Sequence, residues 1–179
     1  NPTVGQLFET CRQTGELKPA AVVAMGGGSI LDVGKSLCCL YGADISSEEE
    51  LRAAIREKTL PSPAARWIGI PTTAGTGSEV TCWATIWDPD KNAKLSVESK
   101  ENYAYAALVD PSLAAGMPVS LAVSSGLDAV AHAVESYWAK ASNTVSKGLA
   151  LRAVDIIMKD MDRLVDGCPE AHLSMAQGS

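Results

Sequence analysis

AAVVAMGGGSILDVGKS, residues 20–36, is the stretch on which the fold turns. Ala20 to Met25 is a short apolar run held between Pro19 and Gly26, the texture of a buried strand. Three glycines, Gly26 to Gly28, and Ser29 follow, and Ile30 to Leu40 then has the texture of a helix. A strand running through glycines into a helix brings backbone N–H groups and the positive end of the helix dipole to one place, which suits an anion. The glycines do not follow GxGxxG spacing, so a tight turn that merely needs glycine reads from these residues as well as a phosphate site does. Ser29 is placed to cap the helix, with Asp32 three residues on.

Upstream, Asn1-Pro2-Thr3 reads as a helix start with Asn1 as N-cap and Pro2 at the first helical position. Leu7, Phe8 and Cys11 then fall at helical spacing, and Gly15 stops the run. Downstream, Ser47 with Glu50 has the form of a capping box, predicting an exposed acidic helix over residues 47–58. RWIGI at 66–70 predicts a second short strand, entering the loop PTTAGTGSE at 71–79. Residues 81–87 and 94–98 flank Asp88-Pro89-Asp90-Lys91-Asn92 as a hairpin flanks its turn, and 105–109 is a last strand closed by Asp110-Pro111. From Val119 onward Ala, Leu and Val recur at helical spacing. They predict one helix to Lys140, another over 145–165 and a third starting near Pro169. The first 111 residues thus alternate strand and helix, and residues 112–179 are helical: an α/β nucleotide-type domain joined to an all-α domain. The strand count is low for a doubly wound sheet and the last helix lacks a stop, so the expectation is the middle of a longer polypeptide, incomplete at both ends.

Composition narrows the function classes. Of 179 residues 46% are hydrophobic and 20% charged, a globular rather than disordered balance. Fifteen Lys and Arg against 21 Asp and Glu leave a net charge of −6, which disfavours a nucleic-acid partner. No apolar run reaches the roughly 20 residues that span a bilayer, and the N-terminus has no basic segment leading an apolar one. A cytoplasmic protein with no membrane partner is expected. Cys11, Cys38, Cys39, Cys82 and Cys168 are odd in number and lack CxxC spacing, as free thiols in a reducing compartment would be.

Two further places can carry chemistry. The loop at 71–79 packs four hydroxyls and two glycines into nine residues directly after a strand, which suits a pyrophosphate or ribose; alone, it reads equally as a solvated polar loop. Two anion-friendly loops, each following a strand, favour a cofactor cleft. In GLDAVAH, Asp128 and His132 stand at i and i+4 on one helix face, within reach of one metal ion. A structural Asp–His pair fits the spacing as well, and two ligands fall short of the three or more that a catalytic site uses. His172 lies on a different predicted helix and is given no metal role. No side chain stands out as a general acid or base.

The motifs AVVAMGGGSILDVGKS, IPTTAGTGSEVT, ALVDPSL and GLDAVAHAVESYW, in this order, resemble those of the iron-containing (group III metal-dependent) alcohol dehydrogenases, over nearly the whole chain. The resemblance implies a Rossmann-like nucleotide-binding part followed by a helical metal-binding domain, an architecture shared with dehydroquinate synthase. It implies pyrophosphate on Gly27, Gly28 and Ser29, and a cofactor cleft lined by Thr72, Thr73, Thr76 and Ser78. It places Lys94 at the nicotinamide ribose and Leu113 against the cofactor, NAD or NADP. Asp128 and His132 match the first two metal ligands, with two histidines expected beyond Ser179, for Fe2+ or alternatively Zn2+. The activity implied is hydride transfer between a nicotinamide and a small alcohol or aldehyde, in a homo-oligomer, a dimer. Residues 81–88, with GLDAVAHAVESYWAK, are similar to members that reduce phosphonoacetaldehyde. The rival readings are a dehydroquinate synthase-like or glycerol dehydrogenase-like enzyme on the same fold, or a truncated non-catalytic fragment.

Overall fold

A computed structural model describes residues 1–179 as two compact units, one of residues 1–71 with 78–108, the other of residues 72–77 with 109–179. The first unit is built around the stretch quoted above. β1 (Ala21–Gly26) pairs in parallel with β2 (Arg66–Pro71), which pairs in parallel with the two-residue β5 (Ala106–Ala107). α2 (Gly28–Leu40) crosses from β1 and packs on the sheet and on a hairpin of β3 (Trp83–Asp88) and β4 (Ala93–Glu98). Covered on several sides, α2 buries Leu31 and every residue from Gly34 to Leu40. Gly34 is what lets it lie so close to β1: a Cβ there would sit 2.6 Å from that of Ala24. The apolar run predicts a buried strand, but β1 is covered only on its α2 face; Ala24 is buried, whereas Val23 and Met25 are 62% and 54% exposed.

Three expected helix starts differ in detail. α1 (Val4–Gly15) is capped by Thr3, not Asn1: Thr3 Oγ1 accepts from the Gln6 N–H and Gln6 Oε1 accepts from the Thr3 N–H. Pro2 stays outside the helix because its carbonyl accepts the Trp87 N–H at 2.8 Å, tying the N-terminus to β3. In α2 the N-cap is Gly27, which has no side chain to cap with, so Ser29 already lies inside the helix. In α3 (Glu48–Glu57) Ser47 does cap, but the Glu50 carboxylate turns to the Ser46 N–H and hydroxyl instead of closing a box on Ser47. Nor is α3 exposed all round. Leu51 and Ile55 join a core with Val4, Leu7, Leu40 and Ile86, and buried Arg52 reaches Asp88 at 2.8 Å.

The second unit is helical: α4 (Val119–Trp138), α5 (Thr144–Val165) and α6 (Ala171–Gly178). Small residues on the buried stripe of α4, Ala122, Gly126, Ala129 and Ala133, admit Ile157, Met161 and Met175 from its neighbours. Asn143 caps α5, its Oδ1 accepting the N–H groups of Val145 and Ser146. No helix is long and apolar enough to cross a membrane.

All five cysteines are free thiols. Burial pushes the Cys38 thiol from the ordinary 9.0 up to about 12, and Cys39 up to about 11. Between pH 9 and those values the unfolded chain sheds protons that the folded chain keeps, so stability falls as pH rises. Cys38→Ala should therefore shrink the drop in Tm of the complete protein between pH 8 and 10.5. An unaltered drop in differential scanning fluorimetry would contradict this.

Candidate functional site

The glycine turn stands where β1 delivers the chain to α2. A Cβ on Gly26 would lie 2.7 Å from that of Ile30, so the turn closes only with glycine at that position. Gly27 leaves the first turn of α2 with no side-chain cap, and Gly28 and Ser29 bring their N–H groups to that helix end. Such an end offers aligned donors and a favourable dipole to an anion.

Four residues beyond Gly28, Asp32 begins a buried polar network. Asp32 Oδ1 accepts the Ser78 hydroxyl at 2.7 Å, and Oδ2 accepts the Thr85 N–H at 2.9 Å. Lys35 is fully buried, and its Nζ donates to Trp83 O at 2.6 Å and to Ser78 Oγ and Thr81 Oγ1 at 3.0 Å each. Desolvation drives the Lys35 pKa below the ordinary lysine value, opposed chiefly by the charge of Asp32 at 3.7 Å. Asn102 Nδ2 holds the Lys35 carbonyl at 2.8 Å. The hydroxyl of Ser78, expected at the cofactor, thus lies inside the protein and organises the end of its loop.

Thr72, Thr73 and Thr76 belong to the second unit, where their loop rests on α4. A Cβ on Gly75 would lie 2.6 Å from Ser125 O, and Gly77 turns the chain with φ 56°. Ser125 is one turn before Asp128, so the Thr-rich loop and the Asp–His pair share this helix. Asp128 Oδ1 and His132 Nε2 are 3.8 Å apart on its surface, each side chain about half exposed. No third His, Cys, Asp or Glu completes a metal-sized group with them. His172 lies on α6, buried, with no partner at Nδ1. Leu113 ends a short 3-10 turn, Pro111–Leu113, that Asp110 caps through the Ser112 N–H. In the first unit, Lys94 stands exposed on β4 with its ammonium 5.2 Å from the Trp87 ring centre.

Residues 1–111 match the family model "Iron-containing alcohol dehydrogenase", and residues 122–178 match "Fe-containing alcohol dehydrogenase family, C-terminal". The chain belongs to the iron-containing alcohol dehydrogenase family. The sulfoacetaldehyde reductase of Bifidobacterium kashiwanohense, solved with NAD+, superposes with a TM-score of 0.91 at 29% identity, covering 99% of this chain and 47% of that one. The choline dehydrogenase of Bacillus subtilis is 35% identical over 88% of this chain and 40% of its own length. The NADPH-dependent butanol dehydrogenase of Clostridium saccharobutylicum is 29% identical over 98% of this chain and 45% of its own. The chain thus spans less than half the length of these three relatives.

The Asp–His pair suits a divalent metal in kind, offering one hard carboxylate oxygen and one imidazole nitrogen from a rigid helix. In number it supplies half of a four-ligand set. The glycine turn suits the pyrophosphate of a dinucleotide in the same limited sense, providing amides and a helix end. The side chains that sequence reading passed over are Lys35 and Arg52. For Lys35 a signal existed: two charges three residues apart, Asp32 and Lys35, inside an otherwise apolar helix.

Proposed function

We propose that the complete protein is a metal-dependent, NAD(P)-linked oxidoreductase that interconverts a small alcohol and its aldehyde. The observation that carries this reading is the uncapped start of α2 behind the glycine turn at the C-terminal end of a parallel strand, where open α/β sheets bind their ligands. In this reading the amides of Gly27, Gly28 and Ser29 hold the pyrophosphate, and Thr72, Thr73 and Thr76 line the cleft with hydroxyls. Lys94 reaches the nicotinamide ribose and Leu113 packs on the cofactor. Ser78 serves through the loop end that it anchors. Asp128 and His132 hold the metal, Fe2+ ahead of Zn2+, the carboxylate cancelling charge and the imidazole binding as the neutral form. When bound, the metal supplies Lewis-acid polarisation of the substrate oxygen, and the nicotinamide supplies or receives the hydride.

We assign the substrate to small aldehydes bearing a fixed anion, phosphonoacetaldehyde first. Support comes from residues 81–88 and from a structural neighbour whose name gives sulfoacetaldehyde as its substrate, an aldehyde with a comparable charged head. NAD or NADP as the cofactor, a homodimer and a cytoplasmic location belong to the same proposal.

The test is an anaerobic NADH fluorescence titration of the complete protein with Fe2+ present. Wild type should bind saturably. Gly28→Val, at the first position of α2 where a helix tolerates a side chain, should weaken binding about 100-fold by standing where the phosphates must approach, comparable to losing two charge-assisted hydrogen bonds. Undiminished affinity in that variant would sink the assignment of the turn. A panel of aldehydes then ranks the substrates, and equal rates with neutral and anionic aldehydes would refute the anionic preference.

A further inference from the structure

The Asp32–Lys35 pair has no place in the proposed function, yet its polar atoms are fully partnered. A lysine ammonium has three N–H donors, and here all three meet acceptors: Ser78 Oγ, Thr81 Oγ1 and Trp83 O. Its charge faces Asp32 at 3.7 Å and the Trp67 ring at 5.3 Å. Both oxygens of Asp32 are occupied as well, by Ser78 and the Thr85 N–H. As packing this is an expensive choice, because apolar residues of similar volume usually fill such a space at least as stably. Its position suggests what the charges are for. Asp32 is four residues past Gly28, about 6 Å along the axis of α2. A bare carboxylate at that depth would repel an anion seated on the helix end. With Lys35 beside it, the carboxylate can bind Ser78 and β3 without repelling an anionic ligand.

We propose that Asp32 and Lys35 are positioning residues for the cofactor phosphates: the carboxylate fixes the Ser78–Thr85 segment to α2, and the ammonium cancels its charge beneath the glycine turn. This rests on the assignment of that turn to pyrophosphate. The pair acts through α2 and Ser78 and touches no cofactor atom itself.

The charge role separates from a structural one because it predicts effects of opposite sign. In NADH titrations of the complete protein, Lys35→Met should raise the Kd about tenfold by exposing the charge of Asp32. Asp32→Asn, nearly isosteric and still able to accept the Thr85 N–H, should bind NADH as well as wild type or more tightly. The double variant should return to within about threefold. Displacement of NADH by ADP-ribose should weaken in Lys35→Met, whereas displacement by adenosine, which has no phosphate, should not. Equal losses in both single variants, or parallel losses for ADP-ribose and adenosine, would overturn the proposal and leave a structural pair. Should Lys35→Met fail to fold, Asp32→Asn decides alone, and a tenfold loss of affinity in it refutes the charge role. A normal NADH affinity in Gly28→Val would instead remove the turn assignment, and this proposal with it.

Discussion

Asp128→Ala in the complete protein is expected to cut metal-dependent turnover about a thousandfold while leaving NADH affinity within twofold of wild type. Asp128 and His132 sit together on the exposed side of α4, one turn beyond the point where Gly75 meets Ser125. On the proposed metal assignment, removing the carboxylate deletes one ligand and the negative charge that offsets a divalent ion. A Lewis acid contributes several kcal/mol of transition-state stabilisation, which corresponds to about three powers of ten in rate. His132→Ala should behave alike. Asp128→Asn should fall between, because the amide oxygen can still ligate but brings no charge. The stability cost should be small in each case, since both side chains are about half exposed. Metal content after dialysis, steady-state turnover and NADH titration together decide the matter. Wild-type turnover in Asp128→Ala and His132→Ala would remove the metal assignment, and loss of NADH affinity equal to the loss of rate would mean that α4 had been disturbed as a whole.

What the sequence made legible was whatever depends on neighbours along the chain. The strand, the glycine turn and α2 follow from an apolar run broken by three glycines, and Asp128 and His132 follow from the pitch of a helix. The misplaced caps show how finely local signals compete. Thr3 and Gln6 form a capping box that begins two positions after Asn1 of a plausible Asn-Pro start, and Pro2 is claimed by Trp87, which no local pattern could reveal. Ser29 fails as a cap only because Gly27 lets the helix begin earlier. Long-range pairings were out of reach: Lys35 finds Ser78 and Trp83 from 43 and 48 residues away, and Arg52 finds Asp88 across 36 positions. Burial was equally hidden, since an apolar run reads the same whether one face of β1 is covered or two.

The largest loss of stability is expected at Trp67, which joins the legible frame to the hidden network. Trp67 is 1% exposed and fills the space between the sheet and α2, against Ala24, Leu31, Cys38 and Ala65. Its neighbours there are mostly small, so no side chain at hand can move in and occupy the void that alanine would leave. Its Nε1 donates to Asn102 O at 3.2 Å, and the Asn102 amide in turn holds the Lys35 carbonyl. Trp67→Ala should therefore cost about 3–5 kcal/mol, the range for deleting a large buried aromatic. Trp67→Phe keeps most of the volume but leaves the Asn102 carbonyl without its donor, for a smaller loss of about 1–3 kcal/mol. Urea unfolding of the complete protein, followed by far-UV circular dichroism, checks both. An unfolding free energy for Trp67→Ala within 1 kcal/mol of wild type would show that α2 does not depend on this residue as a floor. The functional consequence follows from the same contacts. Where α2 loses that floor, the glycine turn is held less firmly, and NADH affinity should decline in the order wild type, Trp67→Phe, Trp67→Ala.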